Sequence, residues 1–241
     1  MTIFSECRKL KRTGILPAFL AGGLLSAAVP VVNMAARASS YTPLSGDPAA
    51  ILMDSCWQMM AMLNMLTLIC TSCMMYHAEY ADNGAQKMDV LPVRPFGMFF
   101  GKALITASAL AVMILLEIAS VAFCVHHWFS DTAGLAVSLL KTAGFQFLIL
   151  LPTALLMLII ASACCNIWIS LGAGVICVFA LMILPQDSLI LNLIPFHTPY
   201  LTFPAVLKEG QTILFLSVCA AETILFALAE SVFLKVRRCF A

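Results

Sequence analysis

Long apolar runs alternate with short polar segments along the whole chain. Six runs reach the length of about 20 mostly apolar residues that a membrane-spanning helix needs. They cover roughly residues 15–34, 51–75, 103–124, 139–163, 167–185 and 211–233. A helix satisfies its backbone hydrogen bonds within one segment, as hydrocarbon requires. The pattern therefore predicts an all-α integral membrane protein, with residues 1–241 forming one domain of six transmembrane helices.

Composition agrees with a location in a bilayer. Hydrophobic residues make up 62% of the chain and charged residues only 10%, well below the roughly 25% of soluble domains. Most of the ten cysteines lie inside the predicted spans, where they act as small packing residues rather than as a disulfide framework. Cys70 and Cys73 form a C-x-x-C pair, but no second ligand pair accompanies it, so we expect no metal or redox site there.

The basic residues predict an orientation. Ten of the 13 precede the first span, lie between the second and third, or follow the sixth. Because cytoplasmic loops carry the excess of Lys and Arg, both termini and residues 77–102 are expected in the cytosol. The basic N-terminal segment also resembles the start of a secretory signal peptide. The apolar run that follows it is longer than the apolar region of a usual signal peptide, so we expect the first helix to stay in the protein uncleaved.

The first residues have the pattern of a helix lying in the membrane interface. Ile3, Phe4, Cys7 and Leu10 recur on one side of a basic segment. This spacing predicts an N-terminal interfacial amphipathic helix with its cations near anionic headgroups. A solvated basic tail is the alternative.

A polar segment between the second and third spans combines an apolar stripe with charges. The stripe has helical spacing and consists of Tyr76, Tyr80, Gly84, Met88 and Leu91. The charges beside it are Glu79, Asp82, Lys87 and Asp89. Pro92 ends any such helix and Pro95 allows another to begin. The pattern predicts a short, stiff, charged helix beneath the membrane; a plain solvated loop remains the alternative.

The segment 186–210, between the fifth and sixth spans, is long, apolar and rich in proline. Pro195, Pro199 and Pro204 preclude one continuous helix, and the aromatic residues suit an interface. We expect one or two short helices dipping into the outer leaflet.

Glycines in and near the spans predict close contacts between helices. They are Gly97, Gly101, Gly172 and Gly174. Small residues let helix backbones approach each other in a membrane. The pattern is weakly specific by itself.

Three carboxylates fall within predicted spans. An ionisable group in hydrocarbon costs at least about 2.5 kcal/mol and usually faces the bundle interior or a water path. Glu117 and Glu222 are therefore candidates for a translocation path, where they would meet a cationic substrate or take part in a proton step. A structural hydrogen bond, made by a charged or a neutral carboxyl, is the alternative. Glu230, near the basic C-terminal segment, is interpreted as an interface residue.

The chain carries no sequence motif for catalysis. The P-loop pattern, H-E-x-x-H and G-x-S-x-G are all absent, so we expect no catalytic residue and no nucleotide site in this chain. His126, His127 and Asp131 lie at an outer helix end beside Trp128, which favours a wet interfacial cluster over a metal site. Neither a metal nor a nucleic acid is expected as a ligand.

Taken together, these features resemble the permease subunits of type-2 ABC exporters. The resemblance rests on Glu6-x-x-Lys9-x-Lys11 near the start, on the six spans, and on Leu91-Pro92-Val93-Arg94 before Lys102. The size, the short loops and the Pro-rich segment before the last span are most similar to the permeases of lantibiotic-immunity ABC transporters. The resemblance covers essentially the whole chain.

This resemblance implies an assembly and a role. Such a permease pairs with a second, related permease and with two copies of a separate ATPase, which uses ATP and Mg²⁺. The segment between spans two and three serves as the coupling helix on the ATPase. Its implied contact residues are Glu79, Tyr80, Asp82, Lys87, Asp89 and Arg94. The substrate is a lantibiotic-type antimicrobial peptide, expelled from the bacterial plasma membrane to give self-immunity or resistance.

Two other hypotheses about the function remain open. A type-2 ABC permease for a lipid, drug or ion would have much the same sequence pattern. A membrane-embedded enzyme or assembly protein, using Glu117, Glu222 or the outer histidines, is the alternative from another class. A secondary transporter fits less well, because neither broken helices nor an inverted repeat is evident.

Overall fold

A computed structural model describes residues 14–44, 46–80, 95–129, 134–164, 166–184, 190–208, 210 and 212–240. For residues 95–96, 208 and 237–240 only the backbone is described. The predicted interfacial helix in residues 1–13 and most of the charged segment, residues 81–94, lie outside these ranges. Both therefore stay predictions.

The described part of the chain is helical and contains no β-strand. Two 3₁₀ turns, Leu191–Leu193 and Thr198–Tyr200, lie in the Pro-rich segment. The α-helices are α1 (Ile15–Tyr41), α2 (Pro48–Tyr80), α3 (Pro95–Trp128), α4 (Leu135–Ala163), α5 (Ile167–Met182), α6 (Phe203–Lys208) and α7 (Thr212–Phe240). The prediction of an all-α fold is thus confirmed for these residues.

Each predicted apolar run coincides with a helix, and most helices extend beyond the run. Five helices, α1 to α4 and α7, are long and apolar enough to cross a membrane. Helix α5 is also apolar but has only 16 residues, or about 24 Å at 1.5 Å per residue. Because a hydrocarbon core is about 30 Å thick, α5 is short for a complete crossing. Six crossings and the N-in/C-in orientation remain predictions.

Helix α2 is the most enclosed of the long helices. It packs against α1, α3, α4, α5 and the second 3₁₀ turn. Its buried side chains include Trp57, Met60, Leu68 and Ile69. By contrast α7 packs mainly on α4 and exposes large apolar side chains such as Leu225. A water-soluble protein would bury such a face, whereas in a membrane lipid can cover it.

The turn from α4 to α5 is short and is fixed by a side-chain cap. Asn166 has an extended backbone, and its side-chain oxygen accepts a hydrogen bond from the Trp168 backbone N–H at 2.9 Å. This is an N-cap, which satisfies one of the free donors at the helix start. The cap allows α5 to begin with only three residues between it and Ala163, the last residue of α4.

Glycine permits close helix contact at Gly174 in α5. A Cβ built there would lie 2.8 Å from Ile69 Cγ2 of α2 and 2.9 Å from Met157 Sδ of α4. The prediction of close approach is confirmed at this position. At Gly97 and Gly172 nothing within the described residues lies within 4 Å of such a Cβ, so no close approach occurs there.

Replacing Gly174 with alanine should destabilise the bundle. The added methyl meets Ile69, whose β-branched side chain has little rotamer freedom in a helix, and overpacking of this kind costs about 1–3 kcal/mol. We expect G174A to lower the thermal unfolding midpoint of the purified protein in detergent. The matched control is G172A on the same helix, which should be neutral or slightly stabilising. Equal midpoints for the two variants would contradict the α2–α4–α5 contact.

Candidate functional site

The ends of α2 and α3 that flank residues 81–94 are held by a buried ion pair. Lys102 Nζ pairs with Glu79 Oε1, and the two side chains are only 4% and 14% exposed. The same Nζ lies 4.8 Å from the centre of the Tyr76 ring, within cation–π range. The cation is therefore compensated by a carboxylate and a ring at a site that water barely reaches.

A second set of contacts ties the end of α2 to α4 and α7. The Tyr80 hydroxyl donates to the backbone carbonyl of Ser162, the penultimate residue of α4. The Ser162 hydroxyl lies 2.8 Å from Glu230 Oε1 of α7 and 2.8 Å from the Ile159 carbonyl oxygen of α4, and is hydrogen-bonded to both. We call Tyr76, Glu79, Tyr80, Lys102, Ser162 and Glu230 the anchor. Through the anchor, α2 is joined by polar contacts to α3, α4 and α7.

The interpretation of Glu230 as an interface residue is wrong. Its side chain is fully buried, because the end of α4 and the Ser162 hydroxyl cover it. A carboxyl group in such a place needs hydrogen-bond partners, and Ser162 supplies one. Proximity to the basic C-terminal segment in the sequence did not reveal this packing.

The six predicted ATPase contacts divide into two groups. Glu79 and Tyr80 make polar contacts within the chain, to α3 and α4 respectively. The other four, Asp82, Lys87, Asp89 and Arg94, lie outside the described residues. The ATPase contact of all six stays a prediction.

The ion pair of the anchor can be tested by a double-mutant cycle of E79Q, K102M and the double variant. Removing one partner of a buried pair leaves an uncompensated charge, which costs about 3–5 kcal/mol. We expect K102M alone to lower the thermal midpoint strongly, and the double variant to lose less than the sum of the single losses. The control K141M removes an exposed lysine of α4 and should change little. Additive losses in the cycle would show that the pair contributes no coupling.

A second polar cluster lies in the middle of the bundle around Glu117. Four side chains from four helices meet there and are almost inaccessible: Ser26 of α1, Asn64 of α2, Glu117 of α3 and Gln146 of α4. Ser26 Oγ is hydrogen-bonded to Glu117 Oε1, and Gln146 Nε2 donates to Glu117 Oε2 at 2.6 Å. The Asn64 amide faces the same carboxyl without a hydrogen bond of regular geometry. We call these four residues the central cluster.

The sequence identified Glu117 but not its three partners. Ser, Asn and Gln side chains inside an apolar span often hydrogen-bond across helices. Ser26, Asn64 and Gln146 are polar residues of this kind in three other spans. Which of them would meet Glu117 depends on the rotation of each helix, and the sequence does not give this rotation.

Glu222, the other path candidate, lies in a different place from Glu117. On α7 it follows the spacing of Phe215, Cys219 and Glu230, all of which are buried. Glu222 itself is partly exposed, and its buried Oε2 atom makes no hydrogen bond with the described residues. No hydrogen bond joins it to Glu117. The two carboxyl groups thus do not form one site.

The Pro-rich segment forms the expected short helices and packs inside the bundle. The Thr153 hydroxyl of α4 donates to the Pro195 carbonyl oxygen. Thr153 is about 27 Å along α4 from Leu135, slightly beyond the middle of that helix. The segment is therefore deeper than an interfacial helix would be. Non-helical backbone at membrane depth is tolerated where protein encloses it.

Further hydrogen bonds fix this segment against α2 and α5. Trp57 Nε1 donates to the Pro199 carbonyl at 3.0 Å. His197 Nδ1 lies 2.9 Å from the Leu181 carbonyl, so this nitrogen carries the hydrogen. The Tyr200 hydroxyl donates to the Val178 carbonyl at 3.3 Å. The segment closes the bundle between α2, α4 and α5 on its predicted outer side.

The outer histidines form an exposed aromatic group. The His127 ring stacks on Phe123 with centroids 5.9 Å apart and meets Trp128 edge-on at 4.5 Å. Asp131 lies outside the described residues. Within the described part of the chain, no group of three His, Cys, Asp or Glu side chains has metal-binding geometry.

The cysteines whose side chains are described are free. They include Cys70 and Cys73 of the C-x-x-C pair. Cys73 is buried and Cys70 is exposed on the surface of α2. No disulfide therefore joins any of the cysteines whose side chains are described.

Comparison with known families assigns the class of protein. A family model described as "ABC-2 family transporter protein" matches residues 2–181, about three quarters of the chain. The chain therefore belongs to this family of membrane permease subunits, and the family implies an ATPase partner. With several apolar helices, it is a multi-pass membrane protein. No curated protein and no solved structure gives a significant match.

Proposed function

We propose that this protein is the permease subunit of an ABC transporter that expels lantibiotic-type antimicrobial peptides from the membrane. It acts with a second, related permease and with two copies of a separate ATPase, which supplies ATP hydrolysis. The assembly lies in the bacterial plasma membrane, where the chain crosses six times with both termini in the cytosol. The cell is thereby protected from the peptide.

The observation that carries the transport part of this proposal is the anchor. ATP-driven movement of a partner subunit passes to a bundle through an element that resists bending. In the sequence, residues 81–94 directly follow Glu79 and Tyr80 and directly precede α3. The Glu79–Lys102 pair joins α2 to α3, and the part-buried Tyr80–Ser162 hydrogen bond joins α2 to α4. A force on this segment is therefore transmitted to α3, α4 and α7 through the polar contacts of the anchor.

The substrate part of the proposal rests on the resemblance and on the position of Glu222. A peptide removed from the membrane must reach the bundle through its lipid-facing side. Glu222 lies on α7, whose surface is mostly apolar and exposed, so its carboxyl can meet a cationic peptide from the lipid. Glu117 is fully enclosed and could do so only if the helices separated. Glu222 is therefore the better placed of the two path candidates.

The function is tested by protection of a sensitive bacterium. The chain is expressed together with its ATPase and the second permease, and tolerance to a lantibiotic is measured. We expect tolerance to rise, and to return to the level of the sensitive strain when the ATPase is inactivated. A complex that assembles and hydrolyses ATP without any protection would point to a lipid, drug or ion as the substrate. Failure to bind an ATPase would contradict the transport proposal as a whole.

The coupling role of residues 81–94 makes a separate prediction. Reversing two charges, in D82K/D89K, should reduce co-purification with the ATPase and abolish peptide-stimulated ATP hydrolysis, because a charged surface on the partner would then meet like charges. Membrane insertion should be unchanged. The control K141E reverses an exposed charge on α4, at the predicted outer end, and should leave both readouts intact. Normal binding and stimulation in D82K/D89K would refute the coupling assignment.

A further inference from the structure

The number of hydrogens available in the central cluster decides which group donates in each of its contacts. Ser26 Oγ is within hydrogen-bond distance of Glu117 Oε1 and lies 3.5 Å from the Met60 carbonyl oxygen. A hydroxyl group has one hydrogen to donate, and a carbonyl oxygen can only accept. If Ser26 donates to Met60, then Glu117 must donate to Ser26. Both contacts are satisfied at once only when Glu117 carries a proton on Oε1.

The other oxygen of the same carboxyl fits this assignment. Glu117 Oε2 accepts from Gln146 Nε2 at 2.6 Å, as the carbonyl oxygen of a neutral acid does. The chain Glu117 Oε1–H to Ser26 Oγ–H to the Met60 carbonyl then runs from α3 through α1 to α2. Glu117 and Ser26 each donate one hydrogen along this chain, and the Met60 carbonyl accepts the last one.

The charges around Glu117 agree with a neutral group. The polar side chains that face it are Ser26 from α1, Asn64 from α2 and Gln146 from α4, and none of them is ionisable at neutral pH. No lysine, arginine or histidine of the described residues forms an ion pair with it. A carboxylate enclosed in a membrane bundle without a cation is strongly disfavoured, and such a group takes up a proton instead.

We propose that Glu117 is a proton-binding site, in which a proton on Oε1 is shared with Ser26 and links α1, α2 and α3. The Asn64 amide and Gln146 Oε1 are buried beside this site and have no regular hydrogen bond among the described residues. When the proton leaves, Ser26 turns its hydrogen to the carboxylate and the Asn64 amide provides a further donor. The contact of Ser26 with Met60 is then lost, so proton release changes how α1 meets α2.

This inference is independent of the substrate and of the ATPase, and infrared spectroscopy tests it on the full chain in lipid vesicles. A neutral carboxyl group has a carbonyl stretching band that a carboxylate lacks. We expect such a band at neutral pH in the wild-type protein, its loss in E117Q, and a shift in S26A because the hydrogen bond from Oε1 is removed. The E222Q variant is the control, and its spectrum should keep the Glu117 band.

Thermal stability gives a second readout. Glutamine in E117Q is uncharged and, like a neutral acid, places a donor group beside one partner and a carbonyl acceptor beside the other, so the midpoint should stay close to that of the wild-type protein. The proposal is overturned if E117Q removes no carboxyl band from the spectrum. It is also overturned if sodium chloride, compared with choline chloride, stabilises the wild-type protein but not E117Q, because a bound cation would then hold a charged Glu117.

Discussion

The structure depends on one constraint: polar groups enclosed in a membrane bundle must find partners within the protein. Apolar contacts alone do not set the rotation of these helices, since lipid is as apolar as leucine. The few buried polar contacts do set it. They occur in three groups: the anchor, the central cluster and the contacts of the Pro-rich segment.

Helices α2 and α4 contribute side chains to all three groups. From the predicted outer side inwards, α2 contributes Trp57, Asn64 and the pair Glu79 and Tyr80. On α4, Gln146 contacts Glu117 in the central cluster. Thr153 contacts Pro195 in the Pro-rich segment, and Ser162 contacts Glu230 in the anchor. These two helices thus link the segment proposed to meet the ATPase with the segment that closes the opposite side.

Much of the fold could be predicted from the sequence, because the helices follow from apolar length. All six apolar runs coincide with helices, and the family matched by the chain agrees with the class indicated by its pattern. Individual residues were harder to place. Glu117 and Glu222 were recognisable as costly carboxyl groups, but only helix packing shows that Glu117 is enclosed and that Glu222 is partly exposed. Glu230 was misjudged for the same reason, since burial by α4 depends on a contact 68 positions away in the chain.

The central claim is that residues 81–94 receive the ATPase and that the anchor passes its movement to the bundle. Photo-cross-linking in membranes containing the complete transporter tests it most directly, with a photoreactive residue placed at Lys87 or, for comparison, at exposed Lys141 of α4. The account predicts a covalent adduct with the ATPase from position 87 and none from position 141. An adduct from position 141, or none from position 87 in a complex that co-purifies intact, would contradict it.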